Sequence, residues 1–407
     1  MKIAFFSDTH LGFDEKGERA DDSFLALESA IELSGNHRAD LIVISGDIFD
    51  MRIPSHSVLY KSIVSFSKAK NFSSNVMLSI GKAGEEKSIS FSGIPILAIH
   101  GNHEYLGKGV RSALDLLDLS GSLIYFHGAK IVARKGSERV CIFGLGAVPE
   151  KSALDVIRYW SPKPEEGASN VLVLHQGFKD FMAVDDEMIA SLSLDDLPKG
   201  FDLIVNGHLH WSSIQDLGGS IFLLAGSTIP TSIKKLEAEK LKGVFFFDTV
   251  SKSLDFVALP FQRKMFYHKI VFSDADADKV LSECRSFVLG DLSVSGVLKP
   301  LIRLNLVGTL KKGLSNADVD LGPFINEFSS KTFLSVSKNF SSSSFKTKIS
   351  ELRELQKEKL SIASVGFELL EKNLAETDFG KEFDAKKLFE LLGSDELDEA
   401  MYLFLKS

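Results

Sequence analysis

The chain has 407 residues, 44% of them apolar and 25% charged, with a formal net charge of −8. This length predicts two or three domains with sizeable cores, and two cysteines exclude a disulfide-stapled scaffold. The acidic balance argues against strong nucleic-acid binding by the chain alone, since Lys and Arg on phosphates supply most of that affinity.

No apolar stretch approaches the length of a membrane span, and the chain opens on a core-strand pattern, so a cytoplasmic protein without membrane attachment is expected. The first apolar run, residues 3–6, is followed by Asp8 and His10. A helix is expected over residues 23–34, with Phe24, Leu27 and Ile31 on one stripe and Gly35 as its stop. The run 41–44 leads to Asp47 and Asp50, and residues 57–70 carry a second helical pattern. Residues 71–93 are rich in Ser and Gly and lack periodicity, which predicts an elaborated connection. The run 96–99 leads to Asn102 and His103, and a short helix is expected over residues 111–119. The run 171–174 ends in His175, and the run 203–205 leads to His208 and His210. Residues 140–145, 221–224 and 244–247 are further strand candidates, suited to a second sheet.

Short runs rich in Val and Ile, flanked by Gly and Asp, read as strands buried on both faces. Ligands of open α/β sheets gather beyond the carboxyl ends of such strands. Asp8, His10, Asp47, Asn102, His175, His208 and His210 are therefore expected to converge at one sheet edge. Carboxylate, amide oxygen and imidazole suit manganese, iron, zinc or magnesium-like ions, and no thiolate is offered. Asp47 is the natural bridge between two ions, which would sit about 3.5–4 Å apart and act on a phosphoester. His103, beside a ligand, is free to protonate a leaving alkoxide. Any one of these histidines alone is more often a hydrogen-bonded core or surface residue than a ligand. The ordered set, each member after an apolar run, points to chemistry.

Downstream, residues 260–264 read as a boundary. Strand patterns at 266–272 and 301–307 alternate with helical ones at 274–287 and 320–328, which predicts a small α/β unit. A serine run at 341–344 reads as a linker, and residues 348–375 and 394–406 carry amphipathic helical patterns. Their apolar faces require a partner or a place on the main body, and a helical hairpin folded back is the plainer alternative. The expected division is 1–262, 263–340 and 341–407.

The strings DTH at 8–10, GDIFD at 46–50, GNHE at 101–104, HQG at 175–177 and GHLH at 207–210 resemble the calcineurin-like metallophosphoesterase superfamily. The longer strings FFSDTHLG, VISGDIFD, AIHGNHE and AGSTIPTS resemble more narrowly the SbcD family of DNA double-strand-break repair nucleases. The resemblance implies an α/β two-sheet sandwich flanked by helices, with a capping domain over residues 263–340 and C-terminal helices. It implies two Mn²⁺ per subunit, with Asp8, His10, Asp47 and His210 holding one and Asp47, Asn102, His175 and His208 the other. His103 would be the catalytic histidine. Exonuclease and endonuclease action on double- and single-stranded DNA ends is implied. So are a homodimer, a nucleoid-associated location and an SMC-like coiled-coil ATPase partner of the SbcC type, docked on the C-terminal helices.

Two positions depart from the family pattern. Asp50 stands where many relatives carry a second catalytic histidine; it either orients a metal ligand or caps a turn. Ile229-Pro230 replaces a charged pair. Arg52, Lys108, Arg111 and Lys179, with Lys234 and Lys235, lie in or near loops after motif strands and are DNA-contact candidates, although any single one reads more readily as a solvated surface charge. Two other functions stand beside the nuclease. One is a stand-alone enzyme for a small phosphodiester or phosphomonoester; the other is a non-catalytic adaptor, disfavoured because every ligand position is filled.

Overall fold

The computed structural model describes residues 1–82, 85–105, 109–181 and 192–341. They form two compact units. One comprises Met1–Tyr267 with Asp291–Ile302 and Lys331–Phe333; the other comprises His268–Gly290, Arg303–Ser330 and the described part of Leu334–Ser407.

The first unit is built on two sheets. In spatial order the six-stranded sheet runs Leu254–Ala258, Gly243–Asp248, Lys2–Phe6, Leu41–Ile44, Ile96–Ala98, Ile124–Tyr125. The last four strands are mutually parallel, as short apolar runs separated by helices require. The eight-stranded sheet runs Ser213–Asp216, Ile221–Leu224, Leu203–Asn206, Ser169–Leu174, Glu138–Leu145, Ala129–Lys135, Met77–Lys82, Glu85–Ile89. Its strands from Ile221–Leu224 to Glu138–Leu145 are again parallel.

Alternate side chains of these strands enter different cores, as the two-residue period demands. Ile3, Phe5, Leu41 and Val43 meet Val171, Val173, Leu203 and Val205 between the sheets. Ala4, Phe6, Ile42 and Ile44 face outward onto Phe24, Leu27 and Ile31 of the helix Asp22–Asn36. On the far side, Leu172, Leu174, Ile204 and Phe222 pack with Ala153 and Ile157 of the helix Ala153–Trp160. The central strands are therefore buried on both faces, which explains their unbroken apolar runs.

The second unit carries most of a three-stranded sheet in the order Met265–Ala275, Leu301–Leu310, Phe333–Ser341, with helices Ala277–Val294 and Gly322–Phe328. Leu301–Leu310 alternates between buried and half-buried positions, the pattern of a sheet with one covered face. The helical patterns at 348–375 and 394–406 lie outside the described residues.

Four expectations need correction. Residues 71–93 are not a plain connection, since Met77–Lys82 and Glu85–Ile89 form an antiparallel pair at one edge of the larger sheet. The strand at 244–247 belongs to the first sheet, antiparallel to Lys2–Phe6, not to the second. Gly35 does not stop its helix, which continues to Asn36. A Cβ there would lie 2.3 Å from the Phe72 ring, so the glycine serves close packing. The strand Phe333–Ser341 occupies sequence that had no assigned element. Among the described residues no helix is long and apolar enough to cross a membrane.

Candidate metal centre

The pairing of Lys2–Phe6 with Leu41–Ile44 continues past the strand ends. Asp8 N donates to Gly46 O at 3.0 Å, His10 N to Asp47 O at 3.1 Å and Leu11 N to Ile48 O at 2.7 Å. The loops carrying Asp8, His10 and Asp47 therefore run side by side, as two parallel strands dictate. Asp8, His10, Asp47 and His208 have φ of 51°, 45°, 46° and 76°. They are four of the nine non-glycine residues with positive φ among the described residues. A non-glycine residue held there costs about 1–3 kcal/mol and persists only where its surroundings fix it. That strain is concentrated on the sequence-predicted ligands.

The seven residues converge. Asp8, His10 and His210 offer ligand atoms within 4.8 Å of one another, and so do Asp47, His175 and His208. In the first group, His10 Nε2 faces His210 Nε2 at 3.1 Å, and His210 Nε2 is 3.9 Å from Asp8 Oδ1. Asp8 also accepts the main-chain N–H of His208 at 3.1 Å. In the second, His175 Nε2 lies 3.2 Å from Asp47 Oδ2, and the Asn102 amide is 3.2 Å from His208 Nδ1. Asp47 Oδ1 accepts the main-chain N–H of His103 at 2.9 Å, which ties the GD loop to the GNH loop.

His103 sits beside both groups, its ring 5.0 Å from that of His10. Its Nδ1 is 2.5 Å from the Asp50 carbonyl oxygen, which can only accept, so this nitrogen carries the proton. Asp50 lies between the two histidines. Its carboxylate approaches His10 Nδ1 at 3.3 Å, out of line for a hydrogen bond. His175 Nδ1 likewise donates to the Ser45 carbonyl at 2.6 Å, which leaves Nε2 free of its proton in the neutral ring.

Without a cation these groups balance one another. Burial pushes the Asp8 carboxyl up to about 6, against the pull of His175. Burial would raise Asp47 too, but the charge of the adjacent His175 holds it below the usual carboxylate range. Burial opposes charge on His175, yet Asp47 and Asp8 raise its imidazole to about 10. Burial and repulsion from His175 bring His208 down to about 4, and burial with His10 lowers His210 as well. The site thus holds buried carboxylates whose charge is met by a protonated imidazole that could instead be a neutral ligand.

The donors fit divalent cations. Two imidazole Nε2 atoms face each other at 3.1 Å, and the buried His175 Nε2 makes no aligned hydrogen bond. Oxygen and imidazole donors without thiolate suit borderline and hard ions.

Several supporting residues had no role assigned from sequence. Glu104 accepts from Phe49 N at 2.6 Å and Gly101 N at 2.7 Å, pinning the GD and GNH loops together. Burial, reinforced by Asp47, raises its carboxyl to about 7. It stood in view as the last letter of GNHE. Lys242 is buried and donates to the His210 carbonyl at 2.8 Å and to Glu237 at 2.8 Å; no motif marks it. Of the DNA-contact candidates, Arg52 and Lys179 are exposed. Arg111 is exposed but paired with Asp115 at 2.9 Å. Lys234 is exposed, and Lys235 approaches Glu239 at 4.0 Å. Lys108 lies outside the described residues.

Residues 1–212 match the family of calcineurin-like phosphoesterases. The chain belongs to that family. It is 31% identical over 251 residues to the double-strand break repair protein MRE11 of Encephalitozoon cuniculi, covering 57% of this chain and 43% of the relative. It is 28% identical over 275 residues to the protein of the same name from Arabidopsis thaliana, covering 57% and 38%. The human protein of that name is 26% identical over 332 residues, covering 71% and 46%. The chain thus spans less than half the length of these relatives.

Proposed function

We propose that the chain is a metal-dependent phosphodiesterase that hydrolyses DNA at double-strand-break ends. The observation that carries the chemistry is the meeting of two ligand groups, Asp8-His10-His210 and Asp47-His175-His208, beside His103. The reading of DNA as substrate rests on the MRE11 relatives. We assign two ions per chain, manganese in the active form, with Asp47 shared and Asn102 completing the second group. When bound, such ions would lower the pKa of a water and offset the charge of the phosphate oxygens.

The chain's own residues do the rest. The Ser45 carbonyl fixes the His175 tautomer, so that the unprotonated Nε2 would be free to hold an ion. Asp50 adjusts His10 from its outer side, the reading preferred over a turn cap because its carboxylate faces that ring. The Asp50 carbonyl takes the Nδ1 proton of His103, so with the ring doubly protonated Nε2 would carry the second proton, to give to the leaving oxygen, and the positive charge that meets the phosphate. Arg52 and Lys179 are assigned to the DNA backbone. Residues 263–340 are proposed to cap the site. Residues 341–407 are proposed to dock on an SMC-like ATPase of the SbcC type, the whole acting as a homodimer inside the cell.

The test is Mn²⁺-dependent degradation of end-labelled linear duplex, with a small phosphodiester assayed in parallel and Asp8→Ala and His175→Ala as controls. Loss of both activities in both variants is expected. Hydrolysis of the small ester with no DNA degradation, even with the ATPase added, would replace the nuclease by a small-substrate phosphoesterase.

A further inference from the structure

The histidines of the centre are held in different ways. His175 and His103 place Nδ1 on main-chain carbonyls, those of Ser45 and Asp50. His210 instead places Nδ1 2.8 Å from a side-chain hydroxyl, Thr231 Oγ1. Its Nε2 is the nitrogen turned toward His10 and Asp8. An imidazole ligates only through an unprotonated nitrogen, so the ring proton must sit on Nδ1 with the Thr231 oxygen accepting it.

The loop that carries Thr231 is stitched on both sides. Ser227 N donates to the His210 carbonyl at 3.2 Å, and Ser227 Oγ donates to the Ile229 carbonyl at 2.6 Å. Ile229 is buried in the core beneath the outer helices. Pro230 has no N–H to anchor it, and its carbonyl accepts from Arg19 Nη2 at 2.5 Å. Arg19 is itself buried, its Nε on Asp22 at 2.9 Å. Asp22 is gripped from the other side by Arg263, at 2.7 and 2.9 Å. The Ile229-Pro230 pair thus has a local logic. The isoleucine anchors the loop in the core and the proline carbonyl meets a buried guanidinium, one residue before the hydroxyl that meets His210.

We propose that Thr231 is a positioning residue that fixes the tautomer and ring angle of His210, and that Arg19 holds its loop in place through Pro230. This rests on the assignment of His210 as a metal ligand. Because the partner is a side chain, a single substitution removes it, which main-chain carbonyls do not allow.

The experiment is a Mn²⁺ titration of the metal-free full-length chain, read by the fraction of free ion, with no substrate present. Thr231→Val is expected to weaken one of two binding events about 10–100-fold, the range for loss of an outer partner of a ligating histidine, and to leave the other unchanged. Thr231→Ser keeps the hydroxyl and should restore wild-type binding. Arg19→Gln should weaken the same event. Thr231→Ala takes the place of the valine variant if that one does not fold. Wild-type affinity at both events in Thr231→Val, with His210→Ala losing one, would overturn the role of Thr231 and leave the metal assignment standing. A Thr231→Ser variant as weak as the valine one would also overturn it. Binding unchanged in His210→Ala, or absent from the wild type, would overturn both.

Discussion

Gly46 stands where the GD loop passes close to a candidate ligand histidine, His175, and adding one methyl group there should dislodge the ring. Gly46 has φ +98°, and a Cβ on it would lie 2.3 Å from His175 Nδ1, 2.8 Å from His175 Cγ and 3.0 Å from Gly101 Cα. Ordinary carbon contacts need about 3.5–4.0 Å, so the ring has to retreat by about 1 Å or more. Retreat breaks the 2.6 Å bond from His175 Nδ1 to the Ser45 carbonyl. The left-handed backbone costs an alanine about 1–2 kcal/mol. Loss of the hydrogen bond adds about 0.5–1.5 kcal/mol. The expected cost of Gly46→Ala is therefore about 1.5–3.5 kcal/mol, with a displaced Nε2 that no longer serves the second ion. Gly121→Ala is the matched control, since Gly121 has φ +69° and nothing within 4 Å of its would-be Cβ. It carries the backbone term alone. Guanidinium unfolding of the metal-free chain measures both variants, and Mn²⁺ binding measures the ring. Gly46→Ala no costlier than Gly121→Ala, with both ions retained, would refute the packing argument.

His103→Ser should keep metal and DNA binding while turnover falls about 10²–10⁴-fold, the usual contribution of a positioned acid; single-turnover cleavage of labelled duplex checks this, and near wild-type rates would remove His103 from the mechanism. His100 gives a pH prediction for the metal-free chain. Its Nε2 lies 2.9 Å from the Ala147 carbonyl and its Nδ1 2.8 Å from the Tyr125 hydroxyl. Burial, with repulsion from His127, lowers it from 6.5 to about 4. Between those values the unfolded chain binds the proton and the folded chain does not, so stability is full above pH 6.5 and falls with decreasing pH. The loss by pH 4 amounts to about 3 kcal/mol. Denaturation midpoints of wild type and His100→Gln at pH 7 and pH 4.5 test this, and an identical acid loss in both would exclude His100 as a source.

Much of the site was legible because chain topology did the work. Parallel strands buried on both faces leave unbroken apolar runs, and each run ends where the candidate ligands stand. Asp8, Asp47, Asn102, His175 and His208 could be found from that rule without knowing a single contact. The strand pair Met77–Lys82 and Glu85–Ile89 was hidden because an edge pair keeps exposed polar positions such as Glu86 and Lys87, and its periodicity is diluted by serine. Val244 to Phe247 looked like any other apolar strand; only its register with residues 2–5 assigns it to the first sheet. Lys242 left no local signal, and Thr231 lies within AGSTIPTS without any sign of its contact with His210, since both roles depend on loops brought together from distant parts of the chain. Gly35 was misread because a glycine near a helix end signals a stop, whereas here the absent side chain makes room for Phe72.

The central claim is a two-ion site organised around Asp47, whose Oδ2 faces His175 Nε2 at 3.2 Å and whose Oδ1 holds the His103 amide at 2.9 Å. Its most direct test is the number of Mn²⁺ ions bound per chain by the metal-free protein and by Asp47→Ala. Two ions in the wild type and loss of tight binding at both positions in the variant are the predicted result. Two ions retained by Asp47→Ala would contradict the shared-carboxylate site.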